Sequence, residues 1–69
     1  MNERERIGSR IKEIRKLRGL STTQLAELTG LKQPNIVRIE SGRYSTGLDI
    51  LCKIAEALSC RLDFIKICD

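Results

Sequence analysis

Apolar residues recur in the first part of the chain at the spacing of an α-helix, in steps of four, three and three: Ile7, Ile11, Ile14 and Leu17. This spacing places all four on one side of a helix, which we predict from about residue 3 to residue 18. Glutamates open the segment and bases close it, an order that the helix dipole favours. Gly19 follows and can adopt the left-handed conformation that ends many helices.

Two shorter helices are predicted next, separated by Gly30. The first begins at a capping box, in which Ser21 caps a backbone amide and Gln24 reaches back to the amide of Ser21. Its inner face consists of Leu25, Ala26 and Leu28. The second is predicted over residues 33–41, where Pro34 is tolerated because the first turn of a helix has no amide hydrogen bonds to lose. Its inward-facing residues are Ile36 and Ile39.

The last third of the chain predicts one further helix and an ambiguous tail. A helix is expected over residues 48–58, with a stripe of five apolar residues: Leu48, Leu51, Ile54, Ala55 and Leu58. In the tail, residues 60–69, apolar and polar residues alternate from Cys60 to Phe64, which favours a short strand. The spacing of Leu62 and Ile65 would equally suit a short fifth helix. We therefore predict one compact all-α domain of four or five helices over residues 1–69.

The composition is that of a small globular protein with a basic surface. The 69 residues are 41% hydrophobic and 32% charged, with a formal net charge of +4. Residues 1–20 hold seven bases and three acids, and residues 32–43 hold three bases and one acid, so the excess of bases lies in these two segments. It favours an anionic partner. The charged N-terminus and the lack of any apolar run near the roughly 20 residues of a membrane span predict a cytoplasmic protein.

Neither the cysteines nor the acids form a pattern typical of catalysis or metal binding. Three cysteines recur every eight residues and match no metal-ligand spacing: Cys52, Cys60 and Cys68. We expect Cys52 and Cys60 to be small buried residues, as free cysteines often are. The chain has no histidine, which excludes a His-based triad, and no nucleophile is paired with a base. We therefore expect no enzymatic activity, no cofactor and no metal.

The helix predicted over residues 33–41 presents an unusual face to solvent. At about 100° per residue, four residues share the side opposite the inward isoleucines: Pro34, Val37, Arg38 and Ser41. Gln33 projects from the amino-terminal end of the helix. This face holds one base and no acid, which suits phosphates and base edges, whereas a merely solvated helix more often mixes both charge signs.

A longer pattern surrounds this helix, and through it residues 7–65 resemble the Cro and repressor proteins of lambda-like phages, the XRE-like helix-turn-helix family. The resemblance rests on the run IGSRIKEIRKLRGLSTTQLAELTGLKQPNIVRIESGR and on LDILCKIAEAL after it. In the helix-turn-helix unit, residues 22–41, Ala26 takes the tight helix crossing and Gly30 the turn. The resemblance implies a lambda-repressor-like fold, in which the helix over residues 33–41 enters the major groove of double-stranded DNA.

The resemblance further implies base contacts from Gln33, Pro34 and Arg38. Arg38 can form two hydrogen bonds to guanine, and Gln33 can do the same for adenine. Pro34 has no side-chain hydrogen-bond donor, so it can only influence the shape of the interface or contact a methyl group of a base. We add Val37 to these base-contacting residues because it lies on the outer face of the helix, where it could contact a thymine methyl group. A partly buried Val37 is the alternative.

Phosphate contacts are expected from side chains near the amide ends of the second and third helices and just after the third: Thr22, Thr23, Lys32, Ser41 and Arg43. The chain departs from the family at two of these positions. Thr22 replaces the usual phosphate-binding glutamine, and Lys32 replaces the usual capping Ser or Thr, which leaves the third helix poorly capped. Four exposed bases of the first helix are expected to give only diffuse attraction: Arg10, Lys12, Lys16 and Arg18.

Two further contacts are expected, one within the chain and one between copies. By the resemblance, Arg15 and Glu40 form a partly buried ion pair that fixes the third helix without touching DNA. The tail carries four apolar residues, too many for a solvated terminus: Leu62, Phe64, Ile65 and Ile67. We expect them to pair two copies across a twofold axis, strand to strand, because one protomer covers too little DNA for useful specificity.

These observations predict a sequence-specific transcriptional regulator, a homodimeric repressor that occludes a promoter at a palindromic operator. An alternative within the same class is the antitoxin of a toxin–antitoxin pair, which would bind a toxin and repress its own operon. An alternative from another class is a protein-interaction module that kept the fold and lost DNA binding. Acids or bulky apolar residues on the outer face would indicate the latter, and Val37 alone points that way.

Overall fold

The structure, a computed structural model, describes residues 2–68 and contains four helices in that range. In chain order they are α1 (Glu3–Leu17), α2 (Thr22–Thr29), α3 (Gln33–Glu40) and α4 (Leu48–Ala57). No residue from 2 to 68 belongs to a strand. The all-α architecture of four helices is thereby confirmed, and α1, α3 and α4 each begin where the sequence predicts and end one residue earlier.

Local capping interactions fix the starts of α1 and α2. The predicted capping box at α2 is present: the amide of Gln24 donates to Ser21 Oγ at 3.0 Å, and the amide of Ser21 donates to Gln24 Oε1 at 2.8 Å. A second box, from Asn2 and Glu5, starts α1 and was not anticipated. Lys32 provides no side-chain cap for α3, as its chemistry implies, so this helix depends on packing to form.

The hydrophobic core lies where α3 packs against α1 and α2, and where α4 packs against α2. Leu25, Ile36 and Ile54 are fully buried at its centre. Other buried residues complete it: Ile11, Ala26, Ile39 and Leu58. Helix α3 packs into this core through Ile36 and Ile39, so the opposite face of α3 is exposed to solvent.

Three leucines that the helical periodicity placed on inner faces are exposed instead: Leu17, Leu28 and Leu48. Leu17 is the last residue of α1 and Leu48 is the first residue of α4. In α2, Thr29 completes the buried face in place of Leu28, because its hydroxyl is satisfied by the Leu25 carbonyl at 2.8 Å. A periodic stripe therefore overestimates the buried face near helix ends.

Helix α1 approaches the carboxyl end of α3 so closely that only glycine fits at Gly8. A Cβ atom added there would overlap the carbonyl groups of Ile39 and Glu40, lying 2.6 Å from the Glu40 oxygen. The close approach brings the backbones of the two helices into direct contact. It also sets the distance across which their side chains meet further along α1.

At that point a buried ion pair joins α1 to α3. Arg15 Nε donates to Glu40 Oε2 at 2.6 Å and Nη2 donates to Glu40 Oε1 at 3.0 Å, with side chains only 8% and 6% exposed. The remaining nitrogen, Nη1, donates to the carbonyl of Leu20 at 2.8 Å. The guanidinium thus holds three parts of the chain together: α1, α3 and the connection before α2.

The tail differs from the prediction. Residues 60–68 form neither the favoured strand nor the alternative fifth helix, and all of them are exposed. A strand needs the hydrogen-bonding edge of another strand, and residues 2–68 of a single chain offer none. Cys60, expected in the core, is exposed because it lies beyond the end of α4, while Cys52 is half-buried.

Replacing Glu40 with alanine should lower the free energy of unfolding by about 3–5 kcal/mol, because Arg15 is left buried and unpaired. Urea unfolding followed by circular dichroism measures this change. Glu13→Ala is the control, since it breaks an ion pair with Arg10 whose two side chains are mostly exposed and should cost less than about 1 kcal/mol. Equal unfolding midpoints for the two variants would contradict the structural role of the buried pair.

Gly8→Ala should also destabilise the protein, by roughly 1–3 kcal/mol, because the added methyl group forces α1 away from α3. Ser9→Ala, at the neighbouring exposed position of α1, is the control and should unfold within about 0.5 kcal/mol of the wild type. The same denaturant series compares them. A Gly8→Ala variant as stable as Ser9→Ala would show that the two helices are not packed this closely.

Candidate nucleic-acid interface

Helices α2 and α3 pack against each other through a short turn whose geometry depends on Gly30. This glycine ends α2 in the left-handed conformation, with φ of 73°. The following residue, Leu31, donates its amide to the Ala26 carbonyl at 3.1 Å and packs against the core. The turn is thereby held by a backbone hydrogen bond and by the packing of the Leu31 side chain, and α3 begins two residues later.

The outer face of α3 is exposed and carries no acid. Pro34, Val37, Arg38 and Ser41 are all exposed on it, and Val37 is 45% accessible. Glu40, the one acid of this helix, points inward to Arg15. Since Glu40 is neutralised inside the protein, the face available to a partner has a single charged side chain, that of Arg38.

At the amino-terminal end of α3, Gln33 is half-buried and bound to α2. Its Nε2 atom donates to Thr22 Oγ1 at 2.9 Å. The threonine hydroxyl accepts this bond and still has its own hydrogen to donate to another acceptor. The two residues, predicted for different roles, are therefore brought together as one unit at the edge of the outer face.

Arg38 also has a neighbour, which the sequence analysis did not single out. Its Nη1 atom donates to Asn35 Oδ1 at 3.3 Å, across one turn of α3. Asn35 is half-buried, so its position is restricted by the surrounding structure. The spacing of three residues on a helix was the available signal for this contact. The bond limits the directions in which the guanidinium can extend.

The other residues predicted to bind phosphate lie around α3. Lys32 precedes the helix and Arg43 follows it, so that exposed bases lie near both ends, separated by roughly 12 Å of helix. Thr23 is exposed in the first turn of α2. Ser41 is exposed too, but its hydroxyl donates to the Arg38 carbonyl at 3.0 Å, which occupies its only hydrogen.

The residues predicted for dimerisation lie on another side of the molecule. Leu62 and Ile65 line an apolar groove of about 390 Å³ between α1, α4 and the tail. Phe64 and Ile67 project fully into solvent. No α3 residue lines this groove, and all four tail side chains are exposed within one chain.

Residues 2–68 offer neither of two other kinds of site. In this range no three Cys, Asp or Glu side chains are grouped in a way that could hold a metal ion. None of the helices in the same range is both long and apolar enough to cross a membrane.

Comparison with known proteins agrees with this geometry. A helix-turn-helix family model, HTH_3, matches residues 11–65. An HTH-type transcriptional regulator of Archaeoglobus fulgidus is 33% identical over 61 residues, covering 88% of this chain and 87% of the relative. The immunity repressor protein of Bacillus phage phi105 is 41% identical over 59 residues, covering 86% of this chain but 41% of the repressor.

A solved structure shows the same fold. A chain of a toxin–antitoxin module from Streptococcus pneumoniae is 34% identical, with a TM-score of 0.74 over 93% of this chain and 70% of its own. The family model covers most of the residues that form the four helices, including the whole of α2 and α3. The resemblance to the XRE-like proteins is confirmed, and the chain belongs to the HTH_3 family of helix-turn-helix proteins.

Proposed function

We propose that this helix-turn-helix regulator is a dimeric repressor that inserts α3 of each protomer into the major groove of DNA. The observation that carries the proposal is the exposed, acid-free outer face of α3, with its acid turned inward to Arg15. An α-helix fits the major groove, where base pairs present distinct patterns of donors and acceptors. In this proposal the dimer acts in the cytoplasm and represses by occluding a promoter.

Base contacts are assigned to four residues of α3: Gln33, Pro34, Val37 and Arg38. Arg38 forms two hydrogen bonds to guanine, and Asn35 holds its guanidinium in a restricted direction beforehand. Gln33 is oriented by Thr22 in the same way and binds adenine. Val37 has enough exposed surface to contact a thymine methyl, and Pro34 supplies shape only.

Phosphate contacts are assigned to five residues around the helix: Thr22, Thr23, Lys32, Ser41 and Arg43. Lys32 and Arg43 supply charge near the two ends of α3. Thr22 uses its free hydroxyl hydrogen, and Ser41 contributes only if its bond to the Arg38 carbonyl is exchanged. These contacts set the register of the protein on DNA and carry no sequence information themselves.

Dimerisation is assigned to the tail, through Leu62, Phe64, Ile65 and Ile67. A second copy supplies the strand edge that a single chain does not have, so the alternating residues can pair across a twofold axis. Two protomers then bind half-sites about one helical turn apart on a palindromic operator. The exposed apolar surface of the tail supports this assignment, since an isolated soluble chain rarely leaves so much uncovered.

A second candidate function is that of an antitoxin. It is favoured by the likeness to a chain of a toxin–antitoxin module, at 34% identity. In that case the exposed tail would bind a toxin while α3 represses the shared operon. Expression with the adjacent gene product tests this: rescue of growth from a toxic neighbour, abolished by deletion of residues 62–69 while DNA binding persists, would establish it.

Random-site selection with purified wild-type protein and with Arg38→Ala tests base recognition. The variant should lose its preference at one base pair of each half-site, because a bidentate arginine–guanine contact supplies about 1–3 kcal/mol of discrimination. Arg18→Ala, an exposed arginine outside α3, should leave the selected sequence unchanged. A uniform loss of affinity for every sequence in Arg38→Ala would remove Arg38 from base recognition.

Sedimentation equilibrium tests the dimer. Replacing Phe64 and Ile67 together with serine should convert the wild-type dimer to a monomer, because both side chains are exposed in the single chain and available only to a partner. Leu17→Ser removes an exposed apolar residue at the end of α1 and should leave the dimer intact. If the tail variant sediments as the wild type does, the interface lies elsewhere.

A further inference from the structure

Two of the three cysteines lie in the tail, outside the core. Cys60 follows the end of α4 and Cys68 lies near the end of the tail, and both are exposed. Phe64 lies midway between them, and its side chain projects fully into solvent. Because even numbers of residues separate these three positions, a strand would present all of them on one face. The tail therefore carries two thiols placed symmetrically about one aromatic side chain.

Hydrogen bonds within the chain determine which amides of the tail can take part in a strand pair. The amide of Cys60 donates to the Ala55 carbonyl at 2.7 Å, and the amide of Phe64 donates to Asp63 Oδ1 at 2.8 Å. Within residues 2–68, four tail amides donate to no other group: those of Arg61, Asp63, Ile65 and Ile67. In an antiparallel pair, every second residue exchanges both of its backbone hydrogen bonds with the partner strand. The odd-numbered residues suit these positions, and Cys60 and Phe64 suit the positions between them.

The twofold axis of the dimer then determines which residues face each other. An axis at Phe64 pairs the whole of residues 60–68 with the same segment of the second copy, whereas an axis at another residue leaves one end of the tail unpaired. In this register the two Phe64 side chains face each other, which is a favourable aromatic pair, and no like charges are opposed. Cys60 faces Cys68 of the partner subunit, once at each end of the paired strands.

The spacing of facing residues in such a pair meets the requirement of a disulfide. Between the hydrogen-bonded positions of an antiparallel ladder, facing Cα atoms are about 4.5 Å apart. A disulfide needs a Cα separation of roughly 4.4–6.8 Å. Along one strand, at about 3.4 Å per residue, Cys60 and Cys68 would be about 27 Å apart. The paired strands therefore allow a disulfide between two chains and exclude one within a chain.

We propose that Cys60 and Cys68 form an oxidative cross-linking site, which joins the two protomers through two intermolecular disulfides. The inference rests on the tail-to-tail dimer proposed above. Hydrogen peroxide is the oxidant: one thiol of a facing pair reduces it to water and becomes a sulfenic acid. The facing thiol attacks the sulfenic sulfur, the S–S bond forms and a second water leaves. Each bridge thus transfers two electrons from two thiols to one peroxide.

This site would make the stability of the dimer depend on oxidation. In a reducing cytoplasm the thiols persist, and the tails hold the protomers together by non-covalent contacts that dilution can break. Oxidation joins the protomers covalently, so that the two α3 helices remain linked at concentrations where the reduced protomers separate. The bridge is reversible, because other thiols can reduce it by exchange.

Non-reducing gel electrophoresis after treatment with hydrogen peroxide tests the site. The wild type should form a covalent dimer that dithiothreitol reverses, and so should the control Cys52→Ser, because Cys52 lies in α4 outside the tail. Cys60→Ser and Cys68→Ser should each cross-link roughly a hundredfold more slowly than the wild type at micromolar protein, because facing thiols react at a millimolar effective concentration and these variants have none.

A mixture of Cys60→Ser and Cys68→Ser tests the register directly. After subunit exchange under reducing conditions, a mixed dimer has Cys68 in one protomer and Cys60 in the other. These two thiols face each other at one end of the paired strands, so the mixture should regain the rapid cross-linking that each variant lacks by itself. A mixture that cross-links as slowly as its components overturns the inference.

Tryptic digestion of the cross-linked wild type identifies the bridge. Cleavage after Lys53, Arg61 and Lys66 places the three cysteines in separate peptides. Mass spectrometry should find residues 54–61 joined to residues 67–69. Two identical peptides joined together would place the twofold axis elsewhere and contradict the proposed register.

Sedimentation of the reduced protein separates failure of this inference from failure of the proposed dimer. A reduced wild type that is monomeric, or whose dimer survives the double substitution of Phe64 and Ile67, overturns the tail dimer and the inference with it. A reduced tail dimer that forms a disulfide within one chain, or none, overturns the inference alone.

Discussion

The ion pair between Arg15 and Glu40 fixes how α3 lies against the rest of the protein. A helix of eight residues with no side-chain cap is not stable by itself in water, so its position depends on tertiary contacts. The isoleucine face supplies burial, and the bidentate pair sets the rotation of the helix about its axis. The same contact turns the one acid of α3 inward, so that stability and the charge of the outer face have a common origin.

Two polar side chains of α3 that we assign to base contacts are already held by hydrogen bonds within the chain. Gln33 is held by Thr22, and Arg38 is held by Asn35. Restricting these long side chains in the free protein reduces the conformational entropy that binding would otherwise cost. The proposed interface therefore combines hydrogen-bonded polar side chains with two exposed bases, Lys32 and Arg43, which would need no fixed geometry to attract phosphates.

The tail, residues 60–68, is not covered by the four helices. The four-helix core leaves Phe64, Ile65 and Ile67 exposed, and residues 60–68 have no neighbouring edge with which to form a strand. The alternation of apolar and polar residues indicates that the tail can form a strand when a second strand is available to pair with it. Residues 2–68 of the single chain contain no such strand, so the predicted strand does not form there.

The sequence by itself determined the helices and the face of α3, because capping residues, glycines and apolar periodicity act over a few neighbouring positions. The Ser21–Gln24 box and the inward Ile36 and Ile39 are such local features. Tertiary structure alone decided which parts of those helices are covered and which side chains meet. Leu28 is exposed although its spacing predicts a buried position, and Arg15 of α1 meets Glu40 of α3, 25 positions away in the chain. Such contacts depend on the packing of residues far apart in the chain, which local periodicity does not encode.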